Sequence, residues 1–295
     1  MEGKLAPRVG IVIFLCVAVG FAANHVCARV AFDHGASVAA GVAVRATSTA
    51  LILLAVMRLQ GVAFFVPRAL RRHALVAGIL IASQSYCLYS AVASIPPALA
   101  LLVFQTSPMM YVLVTWSLGK EKPRWSALAP MLLALAGLGL ALDLDPAKLD
   151  ARWQEIGVGV GWALGAGASM TVVYYLNANS LKALDGRLRT CVMTAIAAVI
   201  VIAGGAATEG IVFPRDATGF AGLALLAVFY CLAMVALFWA LPRLPSTTTA
   251  ALNFEPIPLL FFTWAVLGYI VTPLQIVGAF LTVGAIAWLS LQKGG

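Results

Sequence analysis

Runs of apolar residues, each about as long as a bilayer is thick, follow one another along the chain with short polar breaks between them. They lie near 8–29, 38–57, 74–94, 96–117, 125–142, 157–179, 189–207, 217–240, 245–268 and 273–291. A helix that crosses the hydrocarbon core needs ~20 residues, and ~17–25 is workable. Membrane strands would read instead as ~10-residue stretches of alternating hydrophobicity. Inside lipid the backbone must satisfy its own hydrogen bonds, which makes helices the default. The pattern predicts an all-α membrane protein with ten transmembrane helices. The first run follows Lys4 and Arg8, as a signal peptide would. With further runs behind it, we expect a retained first helix.

Composition agrees. Of 295 residues, 62% are hydrophobic and 10% charged, against about 25% charged in soluble domains. That is too little charge to clothe a water-facing surface. Cys16, Cys27, Cys87, Cys191 and Cys231 fall within or near the ends of the runs and form no CxxC pair, so they read as small buried apolar residues. His25, His34 and His73 lack metal-ligand spacing, and we expect neither a metal nor a cofactor.

Charge predicts orientation. With the N-terminus cytoplasmic, 14 of the 19 basic residues fall on the cytoplasmic side, including Arg58, Arg68, Arg71, Arg72, Lys182, Arg187 and Arg189. This bias predicts that both termini are cytoplasmic. It also accounts for the net charge of +8 through loops beside anionic lipid, with no need of nucleic acid. Asp143, Asp145, Asp150 and Glu155 make the outer connection acidic.

The chain also repeats. Displaced by 148 residues, Pro97 meets Pro245, Gln105 meets Asn253, Pro108 meets Pro256 and Trp116 meets Trp264, while Glu121 meets Tyr269. We expect a first five-helix repeat over 1–142, an external connection over 143–156 and a second repeat over 157–295. Five is odd, so the halves must insert in opposite directions. Such inverted repeats place a substrate site near the midplane and work by alternating access.

Several segments resemble one family. Phe21–Arg29 (F-A-A-N-H-V-C-A-R) resembles the first-span W-G-x-N-x-x-x-x-K pattern of EamA-type transporters in the drug/metabolite transporter superfamily. Asn24 and Arg29 match it, and Phe21 stands where Trp is common. Arg45 is similar to that family's second-span Arg, Pro108 with Leu118–Glu121 to its fourth span, and Asn253–Phe262 to its ninth. The chain departs at Leu267-Gly268-Tyr269, where Leu-Gly-Glu is frequent. The resemblance implies a basket of ten helices, with spans 5 and 10 peripheral and the others around a central cavity. It also implies a bacterial inner-membrane carrier that exports small metabolites such as amino acids.

Polar groups inside the spans supply candidate chemistry, because an ionisable residue at membrane depth costs ~2.5–3.5 kcal/mol on insertion scales. Glu255 lies ~15 Å from the cytoplasmic end of the ninth span and Arg45 ~11 Å from the outer end of the second. In a ~30 Å core those depths nearly coincide. They are expected either to pair across the repeat interface or to bind the two charged ends of a zwitterion; a purely structural role is the alternative. Gln84, Gln105 and Asn253 are candidates for lining the cavity or for hydrogen-bonding helices together. Tyr86 and Tyr89, three apart on one helix face, and Tyr230 are candidates for lining the site or for packing. Trp162 is likewise a candidate cavity wall, whereas Trp116, Trp125, Trp153, Trp264 and Trp288 read as interfacial. Gly157, Gly161 and Gly165 form successive GxxxG steps that predict close helix packing. Pro108, Pro256 and Pro258 predict kinks.

The predicted partners are a small-molecule substrate and membrane lipid. An intramembrane enzyme is the competing class, but HExxH, GxSxG and paired intramembrane aspartates are absent from the sequence. A channel is a further alternative, and within the carrier class the alternative is a multidrug or other metabolite exporter of the same fold.

Overall fold

The computed structural model describes residues 7–119, 125–142, 149–207, 210–240, 243 and 252–292. Its α-helices are α1 (Pro7–Asp33), α2 (Val38–Leu59), α3 (Arg71–Ser94), α4 (Pro97–Phe104), α5 (Ser107–Ser117), α6 (Trp125–Ala141), α7 (Leu149–Asn179), α8 (Gly186–Ala207), α9 (Ala217–Ala240), α10 (Pro256–Leu267) and α11 (Pro273–Gln292). No strand occurs among the described residues. Among them, 7 helical stretches are long and apolar enough to cross a membrane, and Leu128–Ala141, Leu252–Leu267 and Pro273–Leu289 are shorter apolar helices. Leu51, Val158, Val199, Leu232 and Phe280 point outward from the helices. Exposed apolar area on this scale belongs against lipid rather than water.

The fourth apolar run is broken rather than kinked. Gln105 and Thr106 form a turn between α4 and α5. Pro108 sits in the first turn of α5, and Pro256 and Pro258 in the first turn of α10. There a missing N–H costs no intrahelical bond. Groups freed at the break are satisfied internally, as lipid demands. Thr106 Oγ1 donates to the Val103 carbonyl at 2.8 Å, and Thr171 Oγ1 of α7 donates to the Ser107 carbonyl at 3.1 Å. Before α10, residues 252–254 form a single 3-10 turn. The predicted start of the ninth span at 245–251, Glu121 and the 143–148 part of the connection lie outside the described residues. Residues 149–156, expected in that connection, belong instead to α7. Leu149, Trp153, Ile156 and Val160 continue its apolar helical spacing.

Packing pairs the helices in a pattern that recurs with roles exchanged. α1 lies along α9 as α3 lies along α7, α9 touches α2 as α3 touches α8, and α10 meets α1 as α5 meets α7. α2 lies along α8, and α6 along α11 at the periphery. Lipid supplies no hydrophobic force between helices, so small residues and close fit must hold them. At the α6–α11 seam a Cβ on Gly137 would fall 2.7 Å from the Gly278 carbonyl oxygen, and one on Gly278 2.5 Å from the Ala141 nitrogen. The seam is therefore backbone against backbone. Thr282 Oγ1 adds a 2.8 Å bond to the Gly278 carbonyl and lies 3.3 Å from that of Ala134.

The predicted packing glycines of α7 make no comparable approach. A Cβ on Gly161 would meet open space, one on Gly165 only Cys87 Sγ at 3.6 Å, and one on Gly157 the Trp153 ring of its own helix at 3.2 Å. The same helix carries a second small-residue frame, Gly159–Ala163–Gly167. That frame is turned inward: Ala163 is fully buried, and a Cβ on Gly159 would strike Ile95 at 2.5 Å.

Clasps tie the loops at each end. At one end Val212 and Ser37 exchange hydrogen bonds, and the Arg215 N–H donates to the His34 carbonyl. His34 Nδ1 lies 2.6 Å from Asp216 Oδ2, while Asp216 Oδ1 accepts from the Gly219 N–H at the start of α9. These hydrogen bonds hold the Asp216 carboxyl below the usual carboxylate range. At the other end Arg187 bridges Asp185 and Gln60, and its guanidinium likewise lowers the Asp185 carboxyl.

Candidate functional site

A cavity of about 410 Å³ lies inside the helix ring. Each contributing helix presents one face at three- and four-residue spacing: Arg45 and Thr49 on α2, Gln84, Ser85 and Leu88 on α3, Met170, Tyr174 and Asn177 on α7, Thr190 and Thr194 on α8, Tyr230, Met234 and Leu237 on α9. Asn177, Thr190 and Leu237 lie within about a turn of their helix ends. The cavity therefore leans toward the end that carries the Arg187 clasp and away from the end that carries His34.

Arg45 is 6% exposed and held from three sides. Its guanidinium carbon lies 4.7 Å from the ring centres of both Tyr89 and Tyr230, and Nη2 donates to Ser85 Oγ. Two aromatic faces attract a cation without neutralising it, so its charge remains available to an anion. Ser85 Oγ in turn donates to Gln84 Oε1 at 3.3 Å. Asn24, fully buried, anchors this wall from behind: its Nδ2 donates to the Leu226 carbonyl at 2.8 Å and its side chain pairs with the Tyr89 hydroxyl at 3.1 Å.

Glu255 faces the same cavity from the turn before α10. Its Oε1 lies 3.4 Å from His25 Nε2, and the pair is 17% and 7% exposed. His25 Nδ1 is buried without a partner. The Tyr89 ring stands edge-on to the His25 ring with centres 6.0 Å apart.

The expected Arg45–Glu255 ion pair does not form. Glu255 pairs with His25 while Arg45 pairs with Ser85 and two rings. Depth along a span fixes height but not neighbours: α2 packs chiefly on α8 and α9, and α10 on α1 and α4.

Of the residues expected at the site, Arg45, Gln84, Tyr230 and Glu255 line the cavity. Asn24 and Tyr89 stand one layer behind. Tyr86 turns away to stack edge-on with Trp162 at 6.4 Å, and Trp162 is 39% exposed on the outer side of α7, so neither lines the wall. Gln105 caps α4 through its backbone N–H, and Asn253 belongs to the turn before α10; neither side chain lines the cavity. Sequence reasoning missed His25, Thr49, Ser85, Tyr174, Asn177, Thr190 and Thr194. A usable signal existed for two of them: Thr49 lies four residues from Arg45, and Thr194 four from Thr190.

The arrangement sets a fixed cation with hydroxyl and amide groups on one wall and a carboxylate–imidazole pair on another. It can hold opposite charges of one small solute. No group of three or more His, Cys, Asp or Glu that could hold a metal occurs among the described residues.

Residues 8–142 match the EamA-like transporter family. Among 12 solved chains similar to this one, a crystal structure described simply as that of a protein has a TM-score of 0.64 at 19% identity, covering 94% of this chain and 98% of its own. At that identity the likeness concerns the fold alone. No curated protein matches the chain.

Proposed function

We propose, from the premise that over residues 8–142 this chain belongs to the EamA-like transporter family of the drug/metabolite transporter superfamily, that it is a secondary carrier exporting small zwitterionic metabolites, amino acids first among them. The observation that carries this reading is the pair of opposite charges lining one cavity without meeting, Arg45 on α2 and Glu255 before α10. A substrate carboxylate would take Arg45 and Ser85, and its ammonium group Glu255. Gln84 can donate to the first or accept from the second.

The carrier works by alternating access between two inverted five-helix repeats, 1–142 and 157–295. The exchange of packing roles between the halves supports this, as do the turn at Gln105–Thr106 and the 3-10 turn at 252–254 that precedes α10. Broken spans near the midplane accompany substrate sites in such folds. With both termini cytoplasmic, in a bacterial inner membrane, the cavity leans toward the cytoplasm and the His34–Asp216 clasp lies outside.

Purified protein in liposomes with labelled amino acids tests the proposal. Saturable flux, competed by unlabelled amino acid, is expected. Flux that never saturates would indicate a channel and sink the carrier reading. Repeating the assay under an imposed pH gradient separates a proton-driven carrier from a facilitated one.

A further inference from the structure

Arg45 and its partner Ser85 sit deep in the central cavity, and the wall in front of them is apolar. Counted at ~1.5 Å per residue from the helix ends toward which the cavity leans, both lie ~21 Å deep. Ile81, Met170, Met193 and Met234 line the same cavity at ~9–15 Å on that count. Leu252 joins the wall three residues before Glu255. These five side chains form a collar between the charges and the mouth. At the mouth, ~3–6 Å from the helix ends, Asn177 and Thr190 bring polar groups back.

The threonine hydroxyls at collar depth are committed to their own helices. Thr49 Oγ1 donates to the Arg45 carbonyl at 2.7 Å, and Thr194 Oγ1 to the Thr190 carbonyl at 2.8 Å. That local bond is the ordinary one for threonine in a helix, and it leaves no free proton for a solute. The Tyr174 ring borders the collar and is braced edge-on by Tyr111, with centres 6.4 Å apart.

Charge is confined to the deep end. Among the described residues of the wall, His25, Arg45 and Glu255 are the ones that can carry charge at neutral pH. Residues 244–251, which lead into Leu252, contain no charged side chain. Arg189 of α8 turns Nη1 toward the Asn177 and Leu181 carbonyls, at 3.5 and 3.3 Å, and is not part of the wall. A third charge carried into the collar would be stripped of water and left without a partner.

Methionine gives the collar its particular character. One comes from each of α7, α8 and α9. A thioether chain is unbranched and polarisable, so it moulds to branched, linear and aromatic shapes alike. Resting on the carrier reading above, we infer that the substrates are large neutral amino acids, those with side chains of the leucine, methionine and phenylalanine kind. The backbone zwitterion lies between Arg45 and Glu255, and the side chain points back toward the mouth and fills the collar. A side chain as short as that of serine reaches none of it.

Competition binding on the full chain in lipid nanodiscs, against labelled L-leucine, tests this. L-leucine, L-methionine and L-phenylalanine should bind roughly ten- to fiftyfold more tightly than L-alanine or L-serine, the scale of two to three buried methylenes. L-lysine and L-glutamate should bind no better than L-serine. Met193→Ala and Met234→Ala should each narrow the leucine-to-serine ratio by roughly threefold or more, the scale of one lost methylene contact. Serine, lysine or glutamate binding as tightly as leucine, no binding by any probe, or a ratio unmoved by both substitutions would overturn the assignment. The expected order of binding without any flux in proteoliposomes keeps the assignment and removes the carrier reading. Saturable flux of serine or lysine without flux of leucine keeps the carrier and removes the assignment.

Discussion

The turns that precede α5 and α10 share a proline cue and have opposite chemistry. Each precedes a helix with proline in its first turn, Pro108 for α5 and Pro256 for α10. At the first, Ser107 and Thr171 are almost fully buried, and the Thr171 hydroxyl satisfies the Ser107 carbonyl. The Ser107 hydroxyl itself is buried without a partner. At the second, Glu255 occupies the position 148 residues after Ser107 and faces His25 and the cavity. Breaking a membrane helix is thus a structural device that neutral groups satisfy. The ionisable pair at the second break goes beyond that need, and its cost at membrane depth asks for a functional reason.

The largest expected effect sharpens this contrast directly. Glu255→Gln should lower amino-acid flux by roughly ten- to a hundredfold, equivalent to the ~1.5–3 kcal/mol of a charged hydrogen bond. Ser107→Ala should leave flux within about twofold and thermal stability unchanged or raised, because it removes an orphaned buried hydroxyl. Equal losses at both positions would break the contrast. Next in size, Arg45→Gln should cut flux by roughly tenfold or more on the same scale. Arg45→Lys should not restore it, since an ammonium group cannot reproduce a planar guanidinium stacked between Tyr89 and Tyr230; a fully active Lys variant would show that only charge matters. Thr171→Val should act on stability alone. It leaves the Ser107 carbonyl short of a donor, and the expected cost is about 1 kcal/mol in a detergent melt with flux preserved.

The smallest effect concerns a loop far from either break. Arg187 holds the Asp185 carboxyl below its usual range. A depressed folded pKa contributes stability that is present above the unfolded value of about 3.9 and lost as pH falls through the folded one. The side chains are 37% and 28% exposed, so screening limits the contribution to below about 1 kcal/mol. Asp185→Asn should destabilise slightly at neutral pH, and the difference from wild type should vanish in acid; a gap that widens in acid would contradict the sign.

Much of this was readable in advance, for identifiable reasons. Span positions follow from apolar length, which lipid imposes directly. Arg45 and Glu255 announced themselves because charge is rare at such depth. Their separate partners did not, because a one-dimensional pattern gives height in the membrane and no information on which helix faces which. His25 escapes a sequence reading because histidine spacing speaks to metal binding and not to an acid on a distant helix. α7 offered two small-residue frames, and periodicity alone does not say which one faces inward. Matching positions in the repeat point to Gln105 and Asn253 as wall residues, yet residues in a turn leave the helical face they would otherwise share.

The seam at Gly137 and Gly278 bears on how this molecule tolerates drift. Most contacts in a protein can be renegotiated, since a side chain that shrinks on one helix is met by one that grows on its neighbour. Where main chain rests on main chain there is no such vocabulary for compromise. Each of these two glycines is fixed by the mere presence of the other helix, whatever residues flank them, and no single substitution across the gap can rescue a change at either. The α6–α11 pair is thus inherited as a shape rather than as a set of interactions.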